Sequence, residues 1–195
     1  MSQDFPRIRN IAQLGSATSD RAKPGESSIW SFYRKTRVTL GEAAPLDKLY
    51  NSSWGFVHKL GRSLWTESEF SRGGVAILLN PYSTITEMVP WYEDQWTQHW
   101  MDVRVCLMGE TVLVVNVYAP STKTEREALF SSLLLILQGY EGPMFVGGDF
   151  NCTLEPRLDR YFVSPPGRHD SFALRRLLGR VQLSDVLDGD LEMAE

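Results

Sequence analysis

The sequence predicts an α/β protein in which helices pack on a sheet. Three observations predict it. Gly73-Gly74 is followed by five continuous apolar residues, Val75-Ala76-Ile77-Leu78-Leu79, the pattern of a strand buried on both faces. Trp100 to Leu107 and Thr111 to Tyr118 are β-prone runs around a tight turn near Gly109, which reads as a β-hairpin. A helix-periodic segment, Thr122 to Gln138, separates the second of these runs from a short apolar run, Met144 to Val146. Strand, helix, strand is the order of a crossover unit with helices laid on a sheet.

The remaining elements follow in chain order. Residues 1–29 have no clear period, and Gly15 to Ser28 is rich in Ser, Gly, Lys and Asp, so this part reads as a flexible lead-in. Apolar content rises at Trp30-Ser31-Phe32-Tyr33. Thr36 to Leu40 is expected as a short strand, Ala43 to Tyr50 as a helical turn, and Trp54 to Val57 as a strand. Leu60 to Phe70 is a polar stretch, and Tyr82 to Val89 alternates loosely as a strand does. Pro90 to Gln95 reads as a turn or loop. The helix from Thr122 starts at one of two capping signals, Thr122 with Glu125 or Thr124 with Glu127. Leu129, Phe130, Leu133, Leu134 and Leu137 give it one apolar face, and Gly139 and Gly142 fit its end. Thr153 to Pro166 reads as a long loop. Ser171 to Val181 is a second helix, with Phe172, Leu174, Leu177 and Leu178 apolar and Asp170 or Ser171 as its cap. Leu183 to Leu187 is a short segment, and the end of the chain is acidic.

The 195 residues suit one domain with a sizeable core, assigned to 30–188, with 1–29 as lead-in and 189–195 as an acidic tail. Hydrophobic residues at 43% and charged residues at 23% are ordinary for a soluble globular protein. A net charge of −4 gives no global basic footprint, so binding to nucleic acid has to come from a local patch. Two cysteines, Cys106 and Cys152, make neither a disulfide framework nor a zinc site, and Cys106 reads as a core thiol. No apolar signal region opens the chain and no run of about 18 apolar residues occurs in it. The expected location is intracellular, with the nucleus open, and no membrane partner is expected.

The chemistry concentrates in Met144-Phe145-Val146-Gly147-Gly148-Asp149-Phe150-Asn151. An apolar strand ending in Gly-Gly-Asp-x-Asn delivers polar side chains to the mouth of a sheet. In extended geometry Asp149 and Asn151 share one face and Phe150 takes the other. A carboxylate beside an amide suits a hard metal ion, a phosphate or a water nucleophile. The same residues are also turn formers, so Gly148 to Asn151 as a plain turn stands as the alternative. His58 and His99 have no partner at metal-ligand spacing and read as structural, and His169 reads as the flank of a helix. The six Trp residues read mainly as core and rim, with Trp91 and Trp96 as candidates for exposure. Arg175, Arg176 and Arg180 form a small basic stripe that reads as a solvated face.

Three blocks stand in order: Ser71-Arg72-Gly73-Gly74-Val75-Ala76-Ile77, Asn116-Val117-Tyr118-Ala119-Pro120, and Gly148-Asp149-Phe150-Asn151. Leu158-Asp159-Arg160 and Leu183-Ser184-Asp185-Val186 follow them. In this order and spacing, over roughly residues 54–188, the chain resembles the endonuclease/exonuclease/phosphatase superfamily. More closely, it resembles the apurinic-type endonuclease domain of LINE-type (non-LTR) retrotransposons, which accompanies a reverse transcriptase. The resemblance implies a two-layer β-sandwich flanked by helices that hydrolyses phosphodiesters with magnesium or manganese and acts on DNA. It implies catalytic roles for Asp149, Asn151 and Tyr118, with Asp149 also a metal ligand; Arg160, Arg72 and Ser121 are candidates for phosphate or DNA contacts, against a loop salt bridge with Asp159 for Arg160 and a solvated strand entry for Arg72. Ser121 stands where many relatives carry an Asn, three residues after the Tyr.

The departures from that pattern are specific. Members of the superfamily open with a strand bearing an Asn and, about thirty residues on, a Gln-Glu-Thr-like block whose Glu binds the metal. They end with a Ser-Asp-His block. None of these is legible here: Glu26, Glu42, Glu67 and Glu69 are the available acids, and Ser184-Asp185 is followed by Val186. The sequence therefore reads as the incomplete middle of such a domain. A DNA-nicking endonuclease of a retrotransposon-type protein is the leading expectation, against a non-catalytic binding module of the same fold or a phosphatase of the same superfamily.

Overall fold

The computed structural model describes residues 10–12, 30–39, 41–53, 62–68, 73–80, 82–154 and 170–185. The strands are β1 (Asn10–Ala12), β2 (Trp30–Arg34), β3 (Arg62–Trp65), β4 (Val75–Leu79), β5 (Ile85–Pro90), β6 (Trp100–Leu107), β7 (Glu110–Tyr118), β8 (Met144–Asp149) and β9 (Ser184–Asp185). The helices are α1 (Ala43–Ser53), α2 (Lys123–Leu137) and α3 (Phe172–Arg180), with a short 3₁₀ turn at Glu93–Gln95. Among the described residues the strands form a six-stranded sheet in the order β5-β6-β7-β8-β1-β9 and a three-stranded sheet in the order β2-β4-β3. This is the α/β, two-sheet architecture with flanking helices that the sequence predicts.

The hairpin forms as its turn residues dictate. β6 and β7 pair from Trp100↔Val117 to Leu107↔Glu110, and Met108 and Gly109 both take positive φ, 52° and 86°. A two-residue turn with both φ positive twists in the sense of the flanking strands. From β7 the chain crosses through α2 to β8, which pairs parallel with β7 from Leu113↔Met144 to Tyr118↔Asp149. The crossover read from the sequence is therefore present.

The alternation of β7 decides the layering. Leu113, Val115 and Val117 face the helices with Phe130, Leu133 and Leu137 of α2 and Leu174 and Leu177 of α3. Val112, Val114 and Tyr118 face the second sheet with Val75, Ile77 and Phe32. A strand buried on both faces has no polar side to spare, which is why its middle reads as a continuous apolar run. β4 is buried at every position for the same reason. A polar side chain, Asn116, interrupts the layer between the sheets. Asn116 is 1% exposed and its Nδ2 donates to the carbonyls of Tyr33 (3.0 Å) and Ala76 (2.9 Å), tying β7 to both β2 and β4.

α2 begins at Thr122, whose hydroxyl donates to the Glu125 carboxylate rather than accepting from the helix backbone. α3 begins at Ser171, whose Oγ accepts from the Leu174 amide at 3.0 Å. Glu127 of α2 adds a second acceptor, taking the Ala173 amide at 2.8 Å, so the start of α3 is pinned to its neighbour.

Several expectations are corrected. Asn10–Ala12, inside the aperiodic lead-in, form a strand parallel to both β8 and β9. Thr36 to Thr39 are irregular, not a strand, because Lys35 and Arg37 take φ of 53° and 56°, outside any pleat. The polar stretch after Leu60 contains β3, which pairs with β4 (Leu64↔Ile77); its partner, not its own pattern, makes it a strand. Phe172 is 75% exposed, and Ala173, Leu174, Leu177 and Leu178 form the buried face of α3. Cys106 is half-buried, while Cys152 is the cysteine in the core. Trp91 and Trp96 are half-buried against the helix-side core. Trp54 to Val57, His58 and His169 lie outside the described residues.

Candidate phosphate site at the mouth of the two sheets

β7 and β8 run parallel, so their C-terminal ends open on the same side, and Tyr118 and Asp149 are register partners there. Two glycines set the approach. Gly148 has φ of 129°, and a Cβ on it would lie 1.9 Å from the Val117 carbonyl oxygen. Gly147 leaves room for Phe32 of the second sheet. The strand ends at Asp149, and the chain then turns: Asn151 has φ of 48° and its N–H donates to Asp149 Oδ1 at 3.2 Å. Both sequence readings of this stretch are thus realised in part, a strand delivering Asp149 and an Asx-type turn closing after it. The expectation that Asn151 shares a face with Asp149 in extended geometry is corrected. In the left-handed conformation Asn151 sends its Nδ2 to the Ala119 carbonyl at 2.6 Å. Phe150 enters the helix-side core beside Phe130, as expected.

The other wall comes from the second sheet. Arg34 ends β2, and its guanidinium makes an ion pair with Asp149 Oδ2. Lys35 follows, with its Nζ 5.5 Å from the centre of the Tyr118 ring. Backbone bonds from Thr36 N to Gly74 O and from Arg37 N to Gly73 O, both 3.2 Å, hold this segment against the start of β4. Gly74 N in turn donates to Gln98 O at 2.9 Å. His99 joins from the turn before β6: its Nδ1 lies 3.0 Å from the Tyr118 carbonyl, which can only accept, so Nδ1 carries the proton. The mouth therefore gathers a carboxylate, a phenol, a guanidinium and an ammonium from both sheets.

Of the sequence-predicted residues, Tyr118, Asp149 and Asn151 are brought together here. Ser121 is exposed on the turn before α2, where its carbonyl accepts from the Arg126 guanidinium at 3.1 Å. Arg72 and Arg160 lie outside the described residues, as do Glu26 and Glu69. Glu42 has its pKa lowered by hydrogen bonds from the Thr39 side chain first and then from the Thr39 amide (2.7 Å), and Glu67 accepts from the Gly41 amide at 3.1 Å. Arg34 and Lys35 were not singled out from the sequence. The available signal was an apolar run, Trp30 to Tyr33, ending in three polar residues.

The magnesium or manganese implied by the resemblance is tested by the donor set. A hard divalent cation takes about six oxygen ligands. Asp149 is one carboxylate, with Oδ1 accepting from Asn151 and Oδ2 paired to Arg34. Among the described residues no group of three or more His, Cys, Asp or Glu is placed to hold a metal ion. The described residues do not fit a divalent ion. Also among the described residues, no helix is long and apolar enough to cross a membrane.

No family profile matches the chain. A Xenopus laevis protein named "Transposon TX1 uncharacterized 149 kDa protein" is 38% identical over 90 residues, which cover 44% of this chain and 7% of that protein. Among solved structures, an AP endonuclease from Archaeoglobus fulgidus matches with 16% identity and a TM-score of 0.47, over 79% of this chain and 59% of that one. The 3'-5' exonuclease NExo from Neisseria meningitidis matches with 16% identity and a TM-score of 0.46, over 79% and 60%. Truncated TDP2 from Caenorhabditis elegans matches with 19% identity and a TM-score of 0.40, over 70% and 53%. The chain spans under two thirds of each of these proteins. Val75–Leu79 stands behind Gly73-Gly74 in the three-stranded sheet, and Tyr118 and Asp149 close adjacent strand ends of the six-stranded sheet.

Proposed function

We propose that the chain is an endonuclease-type domain of a retrotransposon-type protein that engages the phosphodiester backbone of DNA at the Tyr118–Asp149 mouth. The observation that carries this reading is the convergence there of Tyr118, Asp149, Arg34 and Lys35 from both sheets. A phosphodiester needs its negative oxygens neutralised and its flanking oxygens positioned. Guanidinium and ammonium groups supply the first, and the Tyr118 phenol can hydrogen-bond to the second. The transposon relative supports the assignment to a mobile element.

Hydrolysis is the second reading, favoured by Asp149 at the end of β8. A carboxylate at that place orients an attacking water once it is free of Arg34. The experiment that separates the readings uses the purified chain, with folding verified by circular dichroism. DNA binding is measured by fluorescence anisotropy, and nicking of supercoiled plasmid is measured with magnesium and with EDTA, with Asp149→Ala alongside. Binding without nicking supports the binding domain. Nicking that disappears in Asp149→Ala supports hydrolysis. Neither binding nor nicking by folded protein overturns both.

A further inference from the structure

We infer that Arg34 and Lys35 take the place of a divalent ion at this mouth, so that the site holds a phosphodiester through protein cations, without metal. The inference rests on the reading of the mouth as a phosphodiester site and concerns how that site is charged.

The resemblance calls for a Gln-Glu-Thr-like block about thirty residues after an Asn-bearing strand, with its Glu on the metal. β1 carries Asn10, and β2 ends in Arg34-Lys35-Thr36, with Lys35 25 residues after Asn10. β2 pairs with β4, the strand behind Gly73-Gly74, and its end lies against the end of β8. The triplet has Thr in third place, and where a metal-binding Glu is called for it has Lys35. The substitution reverses the charge at that place. Arg34, in the place of the Gln, puts its guanidinium on Asp149 Oδ2. A cation bound to the only site carboxylate among the described residues competes directly with a second cation.

The geometry also suits an anion. Arg34 presents several N–H donors, and a guanidinium can pair with a carboxylate while offering its remaining donors to a phosphate oxygen. Lys35 is exposed, and the attraction between its ammonium and the face of the Tyr118 ring keeps the charge near the phenol. Phosphate oxygens beside Tyr118 would meet both cations. Each phosphate contact releases condensed counterions, so the two residues set the salt dependence of binding.

The test is anisotropy with a fluorescein-labelled DNA duplex in EDTA and in magnesium, across a salt series. Expected is binding of equal strength in both, weakened severalfold in Arg34→Ala and in Lys35→Ala. The slope of log K against log salt is expected to become shallower by about 0.9 for each phosphate that is no longer neutralised. Arg34→Lys retains the charge and restores much of the affinity, which a merely structural role for Arg34 would not produce. Manganese binding, read by electron paramagnetic resonance, is expected to be absent in the unaltered chain and present in the double variant Arg34→Gln, Lys35→Glu. DNA binding that appears only with magnesium, or manganese binding by the unaltered chain, overturns the inference and leaves the proposed function standing. Absence of DNA binding under every condition overturns the proposed function itself.

Discussion

Asn116 on β7 stands across the parallel ladder from Gly147 on β8, and the two together set how closely the sheets meet behind the mouth. Asn116 fills its share of the space with an amide bonded to two carbonyls of the second sheet. Gly147 fills none of its share: a Cβ there would lie 2.5 Å from Phe32 Cε2, so Phe32 occupies the place. Phe32 is also set against Phe145, with ring centres 5.8 Å apart.

Asn116→Ala is expected to destabilise the fold by about 1–3 kcal/mol, because it removes both hydrogen bonds that the buried amide makes across the layer. Urea denaturation monitored by circular dichroism checks it. A midpoint equal to that of the unaltered chain would mean the inter-sheet amide carries no net stability.

Gly148→Ala is expected to be more damaging than Gly147→Ala. At position 148 the obstacle is the Val117 backbone, 1.9 Å away, and φ is 129°. At 147 it is the end of the Phe32 side chain, which can shift at an overpacking cost of about 1–3 kcal/mol. The comparison of the two midpoints decides it, and equal midpoints would contradict the geometry.

Asp102 gives a pH prediction. It is fully buried on β6, its Oδ1 accepting from Trp96 Nε1 (2.9 Å) and the Tyr92 amide (3.1 Å), while Oδ2 has no bond. Burial pushes its pKa up, outweighing the hydrogen bonds from Trp96 and Tyr92 that pull it down. With the folded pKa above the unfolded one, the protonated carboxyl is favoured in the fold. Its contribution is fully present below the unfolded pKa and lost as pH rises through the folded pKa. Asp102→Asn removes this titration, so the stability of the variant relative to the unaltered chain rises with pH. The change is up to about 1.4 kcal/mol for each pH unit between the two pKa values. Parallel pH–stability curves for the two proteins would refute it.

Asp149→Ala is expected to leave metal-free DNA binding intact or strengthen it by up to about fivefold, since an ion pair of about 1 kcal/mol no longer holds Arg34. Anisotropy in EDTA checks it. A large loss of binding would mean that the carboxylate itself holds the ligand's partner, as in a metal site.

Elements whose signal is local were legible in the sequence. The Gly-Gly run of β4, the hairpin of β6 and β7, and the apolar stripes of α2 and α3 each carry a period or a turn that few other structures satisfy. Also legible there is which strand ends carry Tyr118 and Asp149, because polar residues closing an apolar run have nowhere to be but a mouth. The packing of the chain makes strands of Asn10–Ala12, held by β8 far along the chain, and of Arg62–Trp65, held by the following strand β4, since neither shows a pattern of its own. It alone decided that Arg34 meets Asp149, 115 positions later in the chain. That ion pair depends on β2 and β8 lying in different sheets that pack face to face, and an approach made across a packed layer leaves no spacing in the sequence to read.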